Sequence, residues 1–139
     1  MKKGIILQVG VKVFLKNRES KYLLLERSKK KYPNIKNLWD IPGGRIIPGT
    51  SLLENIQREV FEETKLKISR EPKLIFAQDI IRLPEKHIVR LTFTSATNGK
   101  PLLNDEHIHF KWLSVSEMKK QKGLDEFTRE VLERDSSKL

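Results

Sequence analysis

Residues 42–66 read PGGRIIPGTSLLENIQREVFEETKL, a glycine-rich loop that runs straight into a helix. Ser51 followed three residues later by Glu54 matches a capping box, so a helix is expected from Ser51 with Glu54 reaching back toward the first free amide. Leu53, Ile56 and Val60 recur at helical spacing and predict an inward apolar stripe. Spacings of three and four set Glu62 and Glu63 one turn beyond Glu59, on adjoining parts of one face. Carboxylates this close repel one another by roughly a few tenths of a kcal/mol per pair, and a cation would relieve them. Oxygen-only ligands favour a hard ion, magnesium or else manganese, that completes its shell from water and a phosphate. Such an ion polarises a phosphoryl oxygen and acidifies bound water. Gly43 and Gly44 let the backbone come close to ion and phosphate. The same acids also suit an ordinary solvated face, with Arg58 four residues before Glu62.

Upstream, Val9, Val11, Val13 and Leu15 alternate with Gly10, Lys12 and Phe14, the pattern of a strand with one strongly apolar face. Turn residues 17–20 separate it from a second strand, Tyr22 to Arg27. Residues 28–38 read as a basic loop, and Trp39 to Gly44 as a short strand entering the Pro-Gly-Gly turn, with 45–49 continuing as loop. Downstream, 73–83 and 88–96 read as strands joined around Pro84 and Glu85, 107–113 as another, and 114–123 as a short helical turn. Leu124, Phe127, Val131 and Leu132 mark an amphipathic final helix, and Asp135 to Leu139 are expected to fray. No repeat or linker interrupts this order. The chain therefore reads as one domain over residues 1–139, α+β in class, with a central mixed β-sheet covered by helices.

At 139 residues the chain hides roughly two thirds of its unfolded surface, enough for an apolar core. Without cysteines it has no disulfide, thiol nucleophile or cysteine metal site, and this fits a reducing, cytoplasmic setting. No apolar run is long enough for a membrane span, and the opening MKKGIILQVGVKVF reads as a strand after a basic start, not as a signal peptide. Charge is uneven: residues 1–45 carry 12 Lys/Arg against 3 Asp/Glu, the remainder 16 against 15. This basic first third, peaking at Arg27 to Lys31, attracts phosphates, whether on nucleotides or on RNA, and a solvated lysine-rich loop is the plainer alternative.

The 23 residues 44–66 resemble the Nudix box: a glycine, five residues, Glu, seven residues, then Arg-Glu-apolar-x-Glu-Glu-x-Gly-apolar. Gly44 opens it, Arg58-Glu59-Val60-Phe61-Glu62-Glu63-Thr64 matches in spacing, and Leu66 closes it. Trp39 to Gly44 look like the family's lead-in, and Glu106 to Leu113 are similar to its late strand. The resemblance implies a Nudix-type α/β/α sandwich and a magnesium-dependent pyrophosphohydrolase. It implies Glu59 and Glu63 as the main metal ligands, Glu62 as a further one, the Gly43 carbonyl as another, and Glu59 or Glu62 as helper in activating water. Arg27, Gly44 and Arg45 are the implied substrate contacts. Glu106 lies within reach from the far loop, with an exposed loop acid as the plainer reading. Trp39 and Trp112 are expected as core anchors, and His87, His107 and His109 as structural.

Two departures stand out. Thr50 occupies the place of the box's first Glu, and Lys65 that of its Gly; Ile47 sits where relatives often carry Glu. The resemblance implies that the lost Glu orients the region through Arg58, for which Glu54, four residues earlier, is the available substitute. Lys65 gives up the easy left-handed helix end, a cost of about 1 kcal/mol. Subfamily cues rank nucleoside triphosphates first, resembling the MutT-like group. The alternatives are an RNA 5′-end pyrophosphohydrolase using the basic third, and a catalytically weak nucleotide sensor, for which Thr50 is the motive. A monomer or homodimer is expected.

Overall fold

The computed structural model describes residues 4–139; the basic start at Lys2 and Lys3 lies outside the described residues. The first strand, β1 (Ile6–Lys16), runs parallel to β6 (Lys86–Ala96) through eleven consecutive partners, from Ile6↔Lys86 to Lys16↔Ala96. Its other edge is shared. The short strand β4 (Gly43–Arg45) pairs antiparallel with residues 10–12, and β2 (Tyr22–Arg27) joins at Lys16↔Tyr22. Beyond β2 lie β3 (Trp39–Asp40) and β7 (His107–Leu113), and beyond β6 lies β5 (Lys73–Ile80). The sheet is mixed, and helix α1 (Leu52–Thr64) covers one face while α2 (Val115–Lys119) and α3 (Glu126–Asp135) cover the other.

Alternation along β1 builds both layers. Val11, Val13 and Leu15 join Leu23, Leu25, Ile56, Val60 and Phe93 beneath α1. Phe14, pointing the other way, meets Tyr22, Leu24, Trp39, Ile41, Met118 and the α3 residues Val131 and Leu132. Trp39 and Trp112 both pack against these cores, as expected.

Several local expectations need correction. Leu53 is 43% exposed and outside the core. The first turn of α1 closes on the 47–51 loop, not on the sheet, and Asn55 makes that contact. The capping box is half formed: Ser51 Oγ accepts from the Glu54 N–H, but Glu54 receives the Ser51 hydroxyl instead of a backbone amide. Residues 39–44 form two short strands, not one. Strand 73–83 stops at Ile80, and the next starts earlier, at Lys86. Leu124 precedes α3 and bridges to Trp39. The tail is not frayed: Ser136–Lys138 form a 3-10 turn and Leu139 packs on the second core. Lys65 does end α1 in the left-handed region, φ 60°, with its ammonium over the Phe61 ring.

The two layers are joined by a buried charge. Asp40, 3% exposed, lies 3.2 Å from Lys12 Nζ of β1, 3.4 Å from Arg90 of β6 and 3.7 Å from Arg27 of β2, and accepts from the Thr128 hydroxyl of α3 at 2.5 Å. Burial alone would raise its pKa, but the Lys12, Arg90 and Arg27 charges hold it well below the usual carboxylate range. A lowered folded-state pKa means that the unfolded chain takes up the proton first. The contribution is therefore full above about pH 4, the unfolded value, and fades as pH falls further toward the folded one. Asp40→Asn removes the counter-charge of Lys12 and Arg27 and leaves Arg90 with Asp125 alone, and should lower the unfolding free energy by about 3–5 kcal/mol at pH 7. Urea unfolding measures this, and the gap between wild type and variant should narrow below about pH 4. An unchanged midpoint at pH 7 contradicts the assignment.

Candidate active site

The site forms where β4 crosses the C-terminal half of α1. Gly43 has φ +142°, and a Cβ there would lie 2.0 Å from the Val11 carbonyl oxygen, so only glycine lets β4 lie this close to β1. Its N–H donates to Glu63 Oε1 at 2.9 Å. Gly44 sits directly on the Glu59 carboxylate, where a Cβ would come within 2.7 Å of both oxygens. The Pro-Gly-Gly turn thus presses bare backbone against two acids of the helix.

Glu59 and Glu63 are largely buried side chains, whereas Glu62 is 55% exposed and is tied to Arg58 at 3.4 Å. Glu59 and Glu63 lie at the glycines, and the more exposed Glu62 shares Arg58 Nη1 with Glu59, so it stays beside that pair. Among the described residues no three acidic or histidine side chains are drawn together into a ready cage. Burial above all, with the Glu59 and Glu106 charges adding to it, pushes Glu63 up to about 7 against the pull of Lys12. Lys12 Nζ meanwhile donates to the carbonyls of Ile41 at 3.2 Å and Gly43 at 3.3 Å. A buried carboxylate with negative neighbours, a second one under a glycine, and a carbonyl already facing an ammonium form an all-oxygen set whose chemistry fits a hard divalent cation.

The far loop comes closer than expected. Glu106 is half-buried, not an exposed acid, and accepts from the Tyr32 hydroxyl at 2.5 Å. That bond, with burial, pushes the Tyr32 phenol up to about 12. Lys31 pairs with Asp105 alongside, and the Arg27 guanidinium lies 5.5 Å from the Tyr32 ring centre. His107, read as structural, is buried with Nε2 3.9 Å from Glu63 Oε2. Burial, with Lys12 and Arg27 nearby, lowers its pKa to about 4, so at neutral pH it is uncharged and its Nδ1–H serves Asn104 Oδ1.

On the opposite face of β1 a cavity of about 250 Å³ opens beside these groups. Arg27, Gly44 and Arg45, the three expected substrate contacts, all line it, together with Lys12, Arg82 and Arg90. Ile35, Ile80, Leu83, Ile88 and Phe127 supply apolar walls. Burial and then the Arg27 and Arg90 charges pull the Arg45 guanidinium below its ordinary value. Asp40 and Asp125 offset part of this charge, and Arg82 pairs with Glu126. Arg45 is the wall's cation without a carboxylate partner among the described residues, and the remaining positive charge favours an anion. A second cavity of about 450 Å³ shares Arg27, Ile35, Arg82 and Asp125 with the first and continues past Asn34, Lys36 and Asn37. Arg82 and Arg90 come from the far half of the chain, so the cationic wall is not confined to the basic first third.

Arg58 does not use Glu54. Its guanidinium donates to Glu59 Oε1 at 2.8 Å, to the Arg45 carbonyl at 3.1 Å and to Asn55 Oδ1 at 2.9 Å. Glu54 faces the helix start instead. Asn55, Lys12 and Arg90 were not foreseen, although a lone charge within an apolar strand, as in Val11-Lys12-Val13 or Val89-Arg90-Leu91, is a signal for the last two.

Comparisons with known proteins show the family and the fold. The family model for the NUDIX domain matches residues 6–135. The chain belongs to the NUDIX family. It is 35% identical over 106 residues to a Bacillus subtilis (strain 168) protein provisionally named an 8-oxo-dGTP diphosphatase, covering 76% of this chain and 65% of that one, just under two thirds of its length. A Buchnera aphidicola (subsp. Schizaphis graminum) 8-oxo-dGTP diphosphatase is 29% identical over 103 residues, 73% of this chain and 74% of that one. Among solved structures, the MutT protein of Methanosarcina mazei superposes with a TM-score of 0.83 at 26% identity, covering 99% of this chain and 98% of that one. A MutT NUDIX hydrolase of Burkholderia pseudomallei gives 0.77 at 22% identity, with 94% and 98% covered, which supports the fold alone. No described helix is long and apolar enough to cross a membrane.

The two glycines of this NUDIX site make opposite predictions. Gly43→Ala forces a Cβ into β1 backbone and should lower the unfolding free energy by about 2 kcal/mol or more. Gly44→Ala meets only the end of a flexible Glu side chain, so stability should stay within about 1 kcal/mol of wild type while Glu59 is pushed away. Thermal unfolding beside manganese titration separates them, because Gly44→Ala should weaken ion binding in a fully folded protein. Equal stability of the two variants contradicts the close β1–β4 approach.

Proposed function

We propose that this NUDIX protein is a divalent-metal-dependent pyrophosphohydrolase of nucleoside triphosphates, with oxidised guanine deoxynucleotides as the class to test first. The observation that carries the reading is the junction at Gly43 and Gly44, where two buried acids of α1 meet the mouth of a cationic cavity with apolar walls. The arginines of the wall suit a phosphate chain, and its apolar side chains, Phe127 among them, suit a purine. The choice of base rests on the names of the two curated relatives.

In this reading Glu59, Glu63 and the Gly43 carbonyl hold magnesium or manganese, which when bound supplies Lewis acidity toward a phosphoryl oxygen. Water attacks phosphorus, the phosphoanhydride bond breaks, and nucleoside monophosphate leaves with pyrophosphate, the water's protons passing to the products or to a nearby base. Both expected helpers, Glu59 and Glu62, lie on Arg58 Nη1; Glu59 is the more buried and sits against Gly44, whereas Glu62 is the more open to water. Arg27 and Arg45 orient the phosphates and offset their charge. Lys12 donates to the Gly43 carbonyl oxygen and keeps it in place.

The continuation into the second cavity favours one alternative, an RNA 5′ end whose next nucleotide occupies the outer chamber. Its binding would weaken steeply with added salt as phosphate contacts release counterions, whereas a triphosphate confined to the inner cavity has no such continuation.

The test is direct. Pyrophosphate release, coupled to pyrophosphatase, is followed over canonical and oxidised nucleoside triphosphates, ADP-ribose, a dinucleoside polyphosphate and a 5′-triphosphate RNA, with and without magnesium, and products are checked by chromatography. Metal-dependent turnover of triphosphates is expected, and Glu59→Gln and Glu63→Gln should each lower kcat at least about 100-fold in folded protein. Retained turnover in both variants overturns the metal assignment, and turnover of RNA alone transfers the function to the alternative.

A further inference from the structure

Asn55 carries more hydrogen bonds than any other side chain near the site, and the reading above gives it no role. It is 1% exposed. Its Oδ1 accepts from the Ile47 N–H and from Arg58 Nη2, both at 2.9 Å. Its Nδ2 donates to Thr50 Oγ1 at 2.7 Å, to the Ser51 carbonyl at 2.6 Å and, more weakly, to the Thr50 carbonyl at 3.3 Å. An amide has two donor hydrogens and an acceptor oxygen with two lone pairs, and here every one is engaged. The chemistry of the slot is specific. One side presents oxygens that need a donor, the other presents N–H groups that need an acceptor, so neither a carboxylate nor an alkyl group satisfies both.

We propose that Asn55 is a positioning residue that replaces the carboxylate lost at position 50, so that Thr50 and Asn55 together do what one glutamate does in the family's box. The inference rests on the hydrolase reading above. Thr50 is short: its hydroxyl donates to the Ile47 carbonyl at 2.5 Å and cannot itself accept from Arg58 in that place. Asn55, one turn before Arg58 on the same helix, spans the gap. Its oxygen fixes one guanidinium nitrogen, which also reaches the Arg45 carbonyl, and the other nitrogen is thereby aimed at Glu59 Oε1. The loop and the helix acid are set by one chain of bonds: Thr50 to Asn55, Asn55 to Arg58, Arg58 to Glu59. The exchange also removes one negative charge beside three other acids of the helix.

A double-substitution cycle tests this. Wild type, Asn55→Ala, Thr50→Glu and the double variant are compared for kcat and KM on the best triphosphate of the panel, for manganese affinity by calorimetry, and for thermal unfolding. Asn55→Ala should lower kcat by about 10–100-fold with KM nearly unchanged. Thr50→Glu alone, at a half-buried position, should give no gain, because Asn55 already holds Arg58. The double variant should recover most of the lost kcat, since the glutamate then has both the room and a free guanidinium. Recovery by a second substitution is something a merely structural asparagine cannot produce. A large gain in Thr50→Glu alone, or a double variant no faster than Asn55→Ala, overturns the proposal. If Asn55→Ala fails to fold, Thr50→Glu and the double variant still decide it. If wild type cleaves nothing, the hydrolase reading fails separately, and the cycle is read from manganese affinity, where loss in Asn55→Ala and recovery in the double variant are again required.

Discussion

A single carboxylate, Asp40, is buried between the two layers of this molecule and is reached from β1, β2, β6 and α3 at once. Isolated in that interior it would be costly to ionise, and so would the lysine and arginine that approach it. Together they are tolerable, and the arrangement exists only if the strands and α3 are correctly placed. The charge set therefore adds to what the apolar alternation of β1 already specifies, since a slipped register would also part Lys12 and Arg90 from Asp40. It also holds Lys12 against the Gly43 carbonyl, so the geometry of the glycine turn depends on the same group.

Much of this was legible in the chain. Alternation in β1 and the helical spacing of Ile56 and Val60 are direct consequences of burial on one face, and they survive in the structure because packing rewards the same residues that periodicity selects. Spacing along one helix likewise brought Glu59 and Glu63 together with Gly43 and Gly44. What spacing could not supply was the direction of side chains at the helix ends. Leu53 has the right angular position for the core but lies on a turn that closes against a loop, and Glu62, at a ligand's spacing, is half-exposed and shares Arg58 with Glu59. Contacts across long sequence distances were equally out of reach: Glu106 met by Tyr32, and Arg90 by Asp40, are tertiary facts.

The departure at Thr50 illustrates the limit most clearly. Read along the chain, it is damage to an otherwise intact motif, with the charged residue four places before Arg58 as the available replacement. Space decides otherwise. Glu54 belongs to the first, solvent-facing turn, while Asn55 lies inside the angle between loop and helix, where an uncharged group with both donors and acceptors is the one that fits.

The alternation of β1 has one more consequence. Odd-numbered residues from Val11 to Leu15 support the helix that bears the acids, while Gly10 and Lys12, on the other face, help to wall the cationic cavity. The sheet is a partition, and the two compartments meet at the glycines of β4 and at Lys12, which lines the cavity, donates to the Gly43 carbonyl and bears on the Glu63 charge. A substitution at Ile80 or Leu83 changes the cavity wall alone, whereas one at Lys12 reaches both compartments. Such a scaffold lets much of what is recognised be altered separately from what is done to it, with Lys12 as the shared hinge.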